Sequence, residues 1–453
     1  MFNKDELTKK HYLKKRYYRL SALGESFFCF LYNFITLNYK LSSYKILLYK
    51  LPIPSTVYYN KFGVLLISIR FFFSFIIPLK KNTIFKFSTK ENLVCKVEDK
   101  KSKRNFGNDE QVWPTPALCK YVETTINDKF INEISKSYFL SLKNSELNLK
   151  NSIWWEEFSI KFKKIFFYKK KLKKKIIEKF FKVDFPIDIF NASSPLTNKN
   201  KIEKYFAILN LIANYHNLYN HIRSDILISF SESKLFEADS IIYRNQYLNE
   251  RALRCAYYLS QIKQHSELSY NQKFIFLDLG GGYGLLTRYL LSYFYNSKGI
   301  LIELPETCIL ASYYLKKNFP KKKIKILSNL NKNFTINQKS FEDTDIFILP
   351  TWSISKLSDN LIDLVVNTAS LGELSKEYGE YYLRNINRIA KRYFYSHNRV
   401  SAKNSIWGDI KNAKLTEEKK GYGHYNYNFE GLWNINLYNS SPGWHLEFLG
   451  EKI

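Results

Sequence analysis

The chain has 453 residues, 45% of them apolar, which excludes an intrinsically disordered polymer and allows two or three domains with real cores. Its formal charge of +29 invites nucleic acid, a membrane surface or an acidic substrate as partner, although the Lys-, Asn-, Ile-, Phe- and Tyr-rich composition is also that of AT-rich codons. Five scattered cysteines, Cys29, Cys95, Cys119, Cys255 and Cys308, show no CxxC or Cys/His spacing; they exclude a disulfide frame and a zinc site and point to reduced thiols in a cytoplasmic protein.

The opening MFNKDELTKKHYLKKRYYRL is too polar to begin a secretory signal. Two apolar stretches follow, at 26–37 and 64–78; each is shorter than the ~20 residues of a spanning helix, and the second contains Arg70. They read as buried helices or as interfacial membrane segments. LPIPS (51–55) and 97–111 are loop punctuation, and 112–235 is mostly helical in pattern. Within it, 151–182 alternates apolar and basic residues at helical spacing. That suits either a basic amphipathic helix for a phosphate-rich or anionic lipid surface, or a solvated helix face. Residues 1–235 therefore read as a mostly helical basic region, with a break near 100–112, and 236–453 as a second domain.

Residues 236–265 predict a helix leading into FIFLDLGGGYGLLTRYLL (274–291). Short apolar runs then alternate with helical ones: 274–279, 299–304, 324–327, 345–349, 361–367 and 392–397. This is the pattern of a parallel sheet with crossover helices, and 431–438 and 444–450 around NSSPG add an antiparallel hairpin. The fold class is α/β: a Rossmann-like sheet with a terminal antiparallel hairpin, plus the helical N-terminal region.

Gly280, Gly281, Gly282 and Gly284 fall where a strand feeds a helix. Such a junction aims backbone N–H groups at a ligand, and bare backbone is expected to let that ligand approach closely. The spacing is G-x-G-x-G with Leu285 next, so it departs from the dinucleotide pattern G-x-G-x-x-G, and no GK[ST] follows for a P-loop. With Asp278 ahead of the loop and Glu303 near the next strand's end, the arrangement suits S-adenosylmethionine. One carboxylate would hold its ammonium and the other would accept its ribose hydroxyls. Either 345–352 or 324–329 supplies the third strand; the former places Thr351 and Trp352 near the cofactor, with Trp352 either stacked on a ring of cofactor or sugar or part of the core.

LDLGGGYGLLTRYLL, GILIELPE, LIDLVVNTASLGELSKEYGEYYLRNINRIAK and FYSHNR together resemble the sugar O-methyltransferases of bacterial surface-polysaccharide gene clusters, which belong to the class I S-adenosylmethionine-dependent methyltransferases. The resemblance covers about 236–400. Asp278 stands where that family usually has Glu, and Leu374 where it often has Met. It implies a methyl transfer to a sugar hydroxyl without a metal. Asn367 would lie beside the cofactor, and Thr368, Ser370, Asn398 and Arg399 toward the sugar. Glu373 and His397 are the candidates for the base, each with a structural alternative. The absence of proline from 361–400 argues for oxygen over exocyclic nitrogen as acceptor, again by resemblance.

On this reading the substrate is a nucleotide sugar or a glycan precursor, with the basic N-terminal half peripheral to the anionic inner face of a membrane. Rival readings are an RNA methyltransferase, which should bind RNA with steep salt dependence, and a non-catalytic membrane-associated scaffold. An NAD-dependent oxidoreductase is disfavoured by Leu285.

Overall fold

The computed structural model describes residues 86–87, 126–143, 153–181, 211, 222, 226, 231–233, 235, 240–243, 246–371, 374, 376–399, 433–441 and 445–453. The apolar stretches at 26–37 and 64–78 lie outside these residues, as do Cys29, Cys95 and Cys119. Among the described residues no helix is long and apolar enough to cross a membrane.

One eight-stranded sheet organises the molecule. Its strands are β1 (Ile275–Leu279), β2 (Lys298–Glu303), β3 (Ile324–Ile326), β4 (Ile346–Pro350), β5 (Ile362–Thr368), β6 (Ala390–Arg399), β7 (Trp433–Ser441) and β8 (His445–Lys452). The spatial order is β7-β8-β6-β5-β1-β2-β4-β3. From β6 through to β3 the neighbours are parallel; β8 runs antiparallel to β6, and β7 antiparallel to β8. The strand at 346–350 is thus β2's neighbour, and 324–326 lies beyond it at the edge. Strand order reverses between β1 and β5, so the crevice at their carboxyl ends is where a doubly wound sheet takes its ligand.

The helices are α1 (Asp128–Lys143), α2 (Ile153–Phe166), α3 (Lys174–Phe180), α4 (Glu250–His265), α5 (Leu285–Tyr293), α6 (Pro305–Asn318) and α7 (Lys376–Ile389). Every residue of β1 and of β4 is buried, as a parallel sheet covered on both faces requires. Alternate side chains feed two cores. Phe276, Leu301, Ile348, Leu364 and Tyr395 meet the residues of α4, α5 and α6. Ile275, Leu277, Ile300, Phe347 and Val365 meet Trp352, Leu383 and Trp433 on the other face. The first core also takes in Ile134 and Tyr138 of α1 and Phe162 of α2, so the described part of 126–181 shares it.

Two local expectations change. Residues 236–265 are not one helix: Ile241–Tyr243 and Gln246–Leu248 pair antiparallel, and α4 starts only at Glu250. Asn249 sets that start, because its side chain accepts the Ala252 N–H at 2.8 Å, the N-cap bond that frees the preceding residues to extend. Likewise 151–182 is broken by a tight hairpin, Phe167–Tyr168 against Lys171–Leu172. A continuous helix would turn Phe167 about 100° away from Phe166. In the hairpin Phe166, Phe167 and Leu172 are all buried.

Candidate functional site

β1 ends at Leu279 and the glycine loop begins. Gly280 has φ +71°, a left-handed conformation that side chains resist, and its N–H donates to the Ile302 carbonyl at 2.8 Å. A Cβ there would stand 2.2 Å from Ser370 Oγ; one on Gly281 would stand 2.5 Å from Asp278 Cγ. Gly282 and Gly284 share the left-handed backbone, and Gly284 caps α5. At Gly280 and Gly281 the bare backbone also serves the protein itself. Their missing Cβ atoms make room for the protein's own Ser370 and Asp278, because the loop is folded tightly over the ends of β1 and β5.

Asp278 lies fully enclosed beneath the loop. Its Oδ2 accepts the Thr287 hydroxyl at 2.6 Å, from the first turn of α5. Its Oδ1 is buried and has no hydrogen-bond partner among the described residues. Burial pushes the Asp278 acid up to about 6, with the bonds from Thr287 working in the opposite direction. Glu303, at the end of β2, is 8% exposed. Its carboxylate accepts the Gly282 N–H at 3.1 Å and the Leu304 N–H. The loop donor that would meet a phosphate therefore already holds a negative group. That placement disfavours a pyrophosphate and favours a ligand offering cationic or hydroxyl donors.

Asn367, on the neighbouring β5, is fully buried, and its amide closes a knot. It donates to the Leu279 carbonyl at 2.7 Å and to Ser370 Oγ at 2.5 Å. Its oxygen accepts from Asn398 Nδ2 at 2.8 Å and from the Leu371 N–H at 3.3 Å. Asn398 Oδ1 in turn accepts the Ser370 N–H at 3.0 Å. The sequence placed Asn367 against a cofactor and Ser370 and Asn398 against a substrate. In the structure these side chains tie the loop end of β1 to β5 and β6. Asn367→Ala removes the 2.7 Å bond to the buried Leu279 carbonyl and one of two short bonds of the Asn398 amide, which keeps Ser396 Oγ at 2.8 Å, and should destabilise the fold by about 1–3 kcal/mol, read from the urea unfolding midpoint.

Trp352 is likewise committed to the protein. Its indole N–H donates to the Ser141 carbonyl at 3.2 Å, and its ring lies 6.2 Å from that of Phe334 in the second core. Its ring packs in the second core while α1 supplies an acceptor for its one polar atom.

Thr368 is half-buried at the end of β5, in register with His397. His397 is 2% exposed, 5.0 Å ring to ring from Tyr258 of α4, and directly across from Glu447 on β8. Glu447 is itself buried and accepts the hydroxyls of Tyr257 at 2.7 Å and Tyr395 at 2.6 Å. His397 therefore stands inside a polar, aromatic wall and not on an open edge. Arg399 ends β6 in register with His445, and its side chain is not among those described. Glu373 lies outside the described residues.

Several residues of the site carried no sequence signal. Glu232 is 1% exposed and gathers four donors: the Ser233 N–H at 2.7 Å, Tyr314 at 3.0 Å, Tyr283 at 3.1 Å and Asn249 at 3.3 Å. It thereby fixes Tyr283 of the glycine loop to the start of α4. Thr287 was legible only as a polar residue amid the apolar LLTRYLL of α5. Among the described residues no group of three or more His, Cys, Asp or Glu side chains is arranged to hold a metal ion.

No family model matches the sequence, and no curated protein matches it. Solved structures do. One is an S-adenosylmethionine-dependent methyltransferase from Aquifex aeolicus, at 15% identity over 43% of this chain and 89% of that one, with a TM-score of 0.27. Another is magnesium protoporphyrin IX methyltransferase from Synechocystis PCC 6803 with its cofactor bound, at 9% identity over 44% and 79%, TM-score 0.27. A third is an O-methyltransferase family 2 protein from Planctomyces limnophilus in complex with apigenin, at 13% identity over 45% and 58%, TM-score 0.28. At these identities and TM-scores the likeness identifies neither substrate nor cofactor for this chain.

Proposed function

We propose that this protein is an S-adenosylmethionine-dependent O-methyltransferase whose acceptor is a sugar hydroxyl, on a nucleotide sugar or a surface-polysaccharide precursor. The observation that carries the reading is the pair of acids around the glycine loop. Asp278 offers a buried carboxylate oxygen with no partner among the described residues, and Glu303 occupies the Gly282 N–H. A sulfonium nucleoside brings a cationic ammonium for the first and ribose hydroxyls for the second. The sugar acceptor rests on the resemblance of the glycine segment and of Asn367-Thr368-Ala369-Ser370 with Glu373 to that family of methyltransferases.

When bound, the cofactor supplies an electrophilic methyl group on a cationic sulfur. The residues of the chain then have three tasks. Glu303 accepts the cofactor's ribose hydroxyls, and Asp278 holds its ammonium directly or through a water. The Asn367–Asn398–Ser370 knot keeps the β5 edge rigid beside the loop. Glu373 or His397 takes the proton from the acceptor hydroxyl, which is a weak nucleophile while protonated.

Calorimetric titration of the full chain with S-adenosylmethionine should show one-to-one binding, and NADH should show none. With the cofactor present, candidate nucleotide sugars should gain the mass of one methyl, and transfer RNA should not. Binding without any methylated sugar would remove the acceptor assignment; no binding at millimolar cofactor would remove the whole reading.

A further inference from the structure

The helix–hairpin–helix unit of α2, the turn and α3 has two contrasting sides. Inward, Phe158, Phe162, Phe166, Phe167, Leu172, Ile177 and Phe181 are buried in the first core. Outward, Lys163, Lys164, Lys170, Lys171, Lys175 and Lys179 are all exposed, and among the described residues none of them has a carboxylate partner. The acidic residues of 153–181 are Glu156, Glu157 and Glu178, against ten lysines. Two large apolar side chains stand among the lysines: Ile160 is 70% exposed and Tyr168 64%. Lys169 at the hairpin tip leans over the Tyr168 ring, 5.6 Å from its centroid.

The tip adds a second, independent feature. Lys169 and Lys170 have φ +43° and +63°. Asn or Gly relieves the strain of such a two-residue turn, yet two lysines occupy it. Strain retained at an exposed tip points to a use for the charge held there.

We propose that this face docks on an anionic lipid bilayer, the lysines meeting lipid phosphates while Tyr168 and Ile160 enter the headgroup boundary. An aromatic ring and an isolated aliphatic chain both gain from a lipid interface, whereas the aliphatic chain adds nothing to the phosphate pairing and base stacking that hold a single strand. The docked face is packed against the candidate site. Phe181, just after α3, stacks on Tyr313 at 5.6 Å and meets the ring of Tyr283 in the glycine loop at 6.4 Å. The inference stands on the surface alone and does not require the cofactor assignment.

The test is co-sedimentation of the full chain with vesicles of phosphatidylcholine alone and of phosphatidylcholine mixed with phosphatidylglycerol. The expected result is binding to the anionic vesicles only. Each lysine at such a surface is worth about fivefold in partitioning, so Lys169→Glu/Lys170→Glu should lower it roughly 25-fold or more. Ile160→Ser/Tyr168→Ser should abolish the part that survives high salt. Lys332→Glu/Lys339→Glu, the same change of charge at exposed positions outside this unit, should leave binding nearly intact; circular dichroism confirms that each variant is folded. Equal loss in both charge variants would assign binding to net charge and overturn the proposal. So would equal sedimentation with neutral vesicles, no vesicle binding at all, or tighter binding to transfer RNA that Lys169→Glu/Lys170→Glu abolishes.

Discussion

Asp278→Asn should stabilise the free protein at neutral pH and cripple its binding of S-adenosylmethionine. The acid's ordinary value of 3.8 is pushed up to about 6 by burial. Because the folded-state value is raised, the folded protein binds more protons than the unfolded chain between these two values. Its stability therefore falls as pH rises from about 4 to about 6 and is level above that. A shift of this size corresponds to about 3 kcal/mol. Wild type and Asp278→Asn should accordingly match near pH 4 and differ by about 3 kcal/mol at pH 7 in urea unfolding, with the variant the more stable. The bound ammonium reverses the preference, since an opposite charge favours the ionised carboxylate. Affinity should then rise with pH through about 6 in wild type and stay flat in the variant. Removing one partner of a buried charge pair costs about 2–5 kcal/mol, a loss of roughly 30- to 4000-fold in affinity at pH 7. A variant that binds the cofactor like wild type would remove Asp278 from the site.

Gly280→Ala should be the most damaging single methyl group that can be added to the glycine loop. The left-handed backbone at φ +71° costs an alanine about 1–2 kcal/mol. The overlap with Ser370 Oγ and Cβ, 2.2 and 2.6 Å away, adds about 1–3 kcal/mol of overpacking. The two sum to about 2–5 kcal/mol, measurable as a lowered urea midpoint, with the cofactor heat signal lost as the loop shifts. Ser370→Gly in the same chain relieves the overlap but leaves the backbone cost and gives up the Asn367–Ser370 bond, so the double variant should lose less stability than the losses of Gly280→Ala alone and Ser370→Gly alone add up to. If Gly280→Ala alone stays within ~0.5 kcal/mol of wild type, the loop is not packed on β5 as described.

These two residues also show how far a reading of the sequence reaches. Strand-forming runs at 274–279, 299–304 and 361–367 sit within a residue or two of β1, β2 and β5, because the alternation of apolar runs with amphipathic ones is a property of neighbouring residues. The glycines were legible as a loop for the same reason. What surrounds them was not: Ser370 lies 90 positions from Gly280 along the chain, and no local pattern links the two. Trp352 shows the same limit. By sequence it reads equally as a ring stacked on a ligand or as core, and no local pattern signals that α1, two hundred residues earlier, brings the Ser141 carbonyl to its N–H.

By itself the sequence determined the α/β class, the succession of strands and helices, the terminal hairpin and the position of a glycine loop flanked by two acids, since all of these are set by periodicity and by residue type over short spans. Only the tertiary structure decided which atoms those residues meet: Asp278 under Gly281, Glu303 on Gly282, Asn367 holding Leu279, and Glu232 holding Tyr283. The physical reason is that hydrogen bonds and packing act across a few ångströms of space. Sheet order and crossover bring residues to that distance from anywhere in the chain.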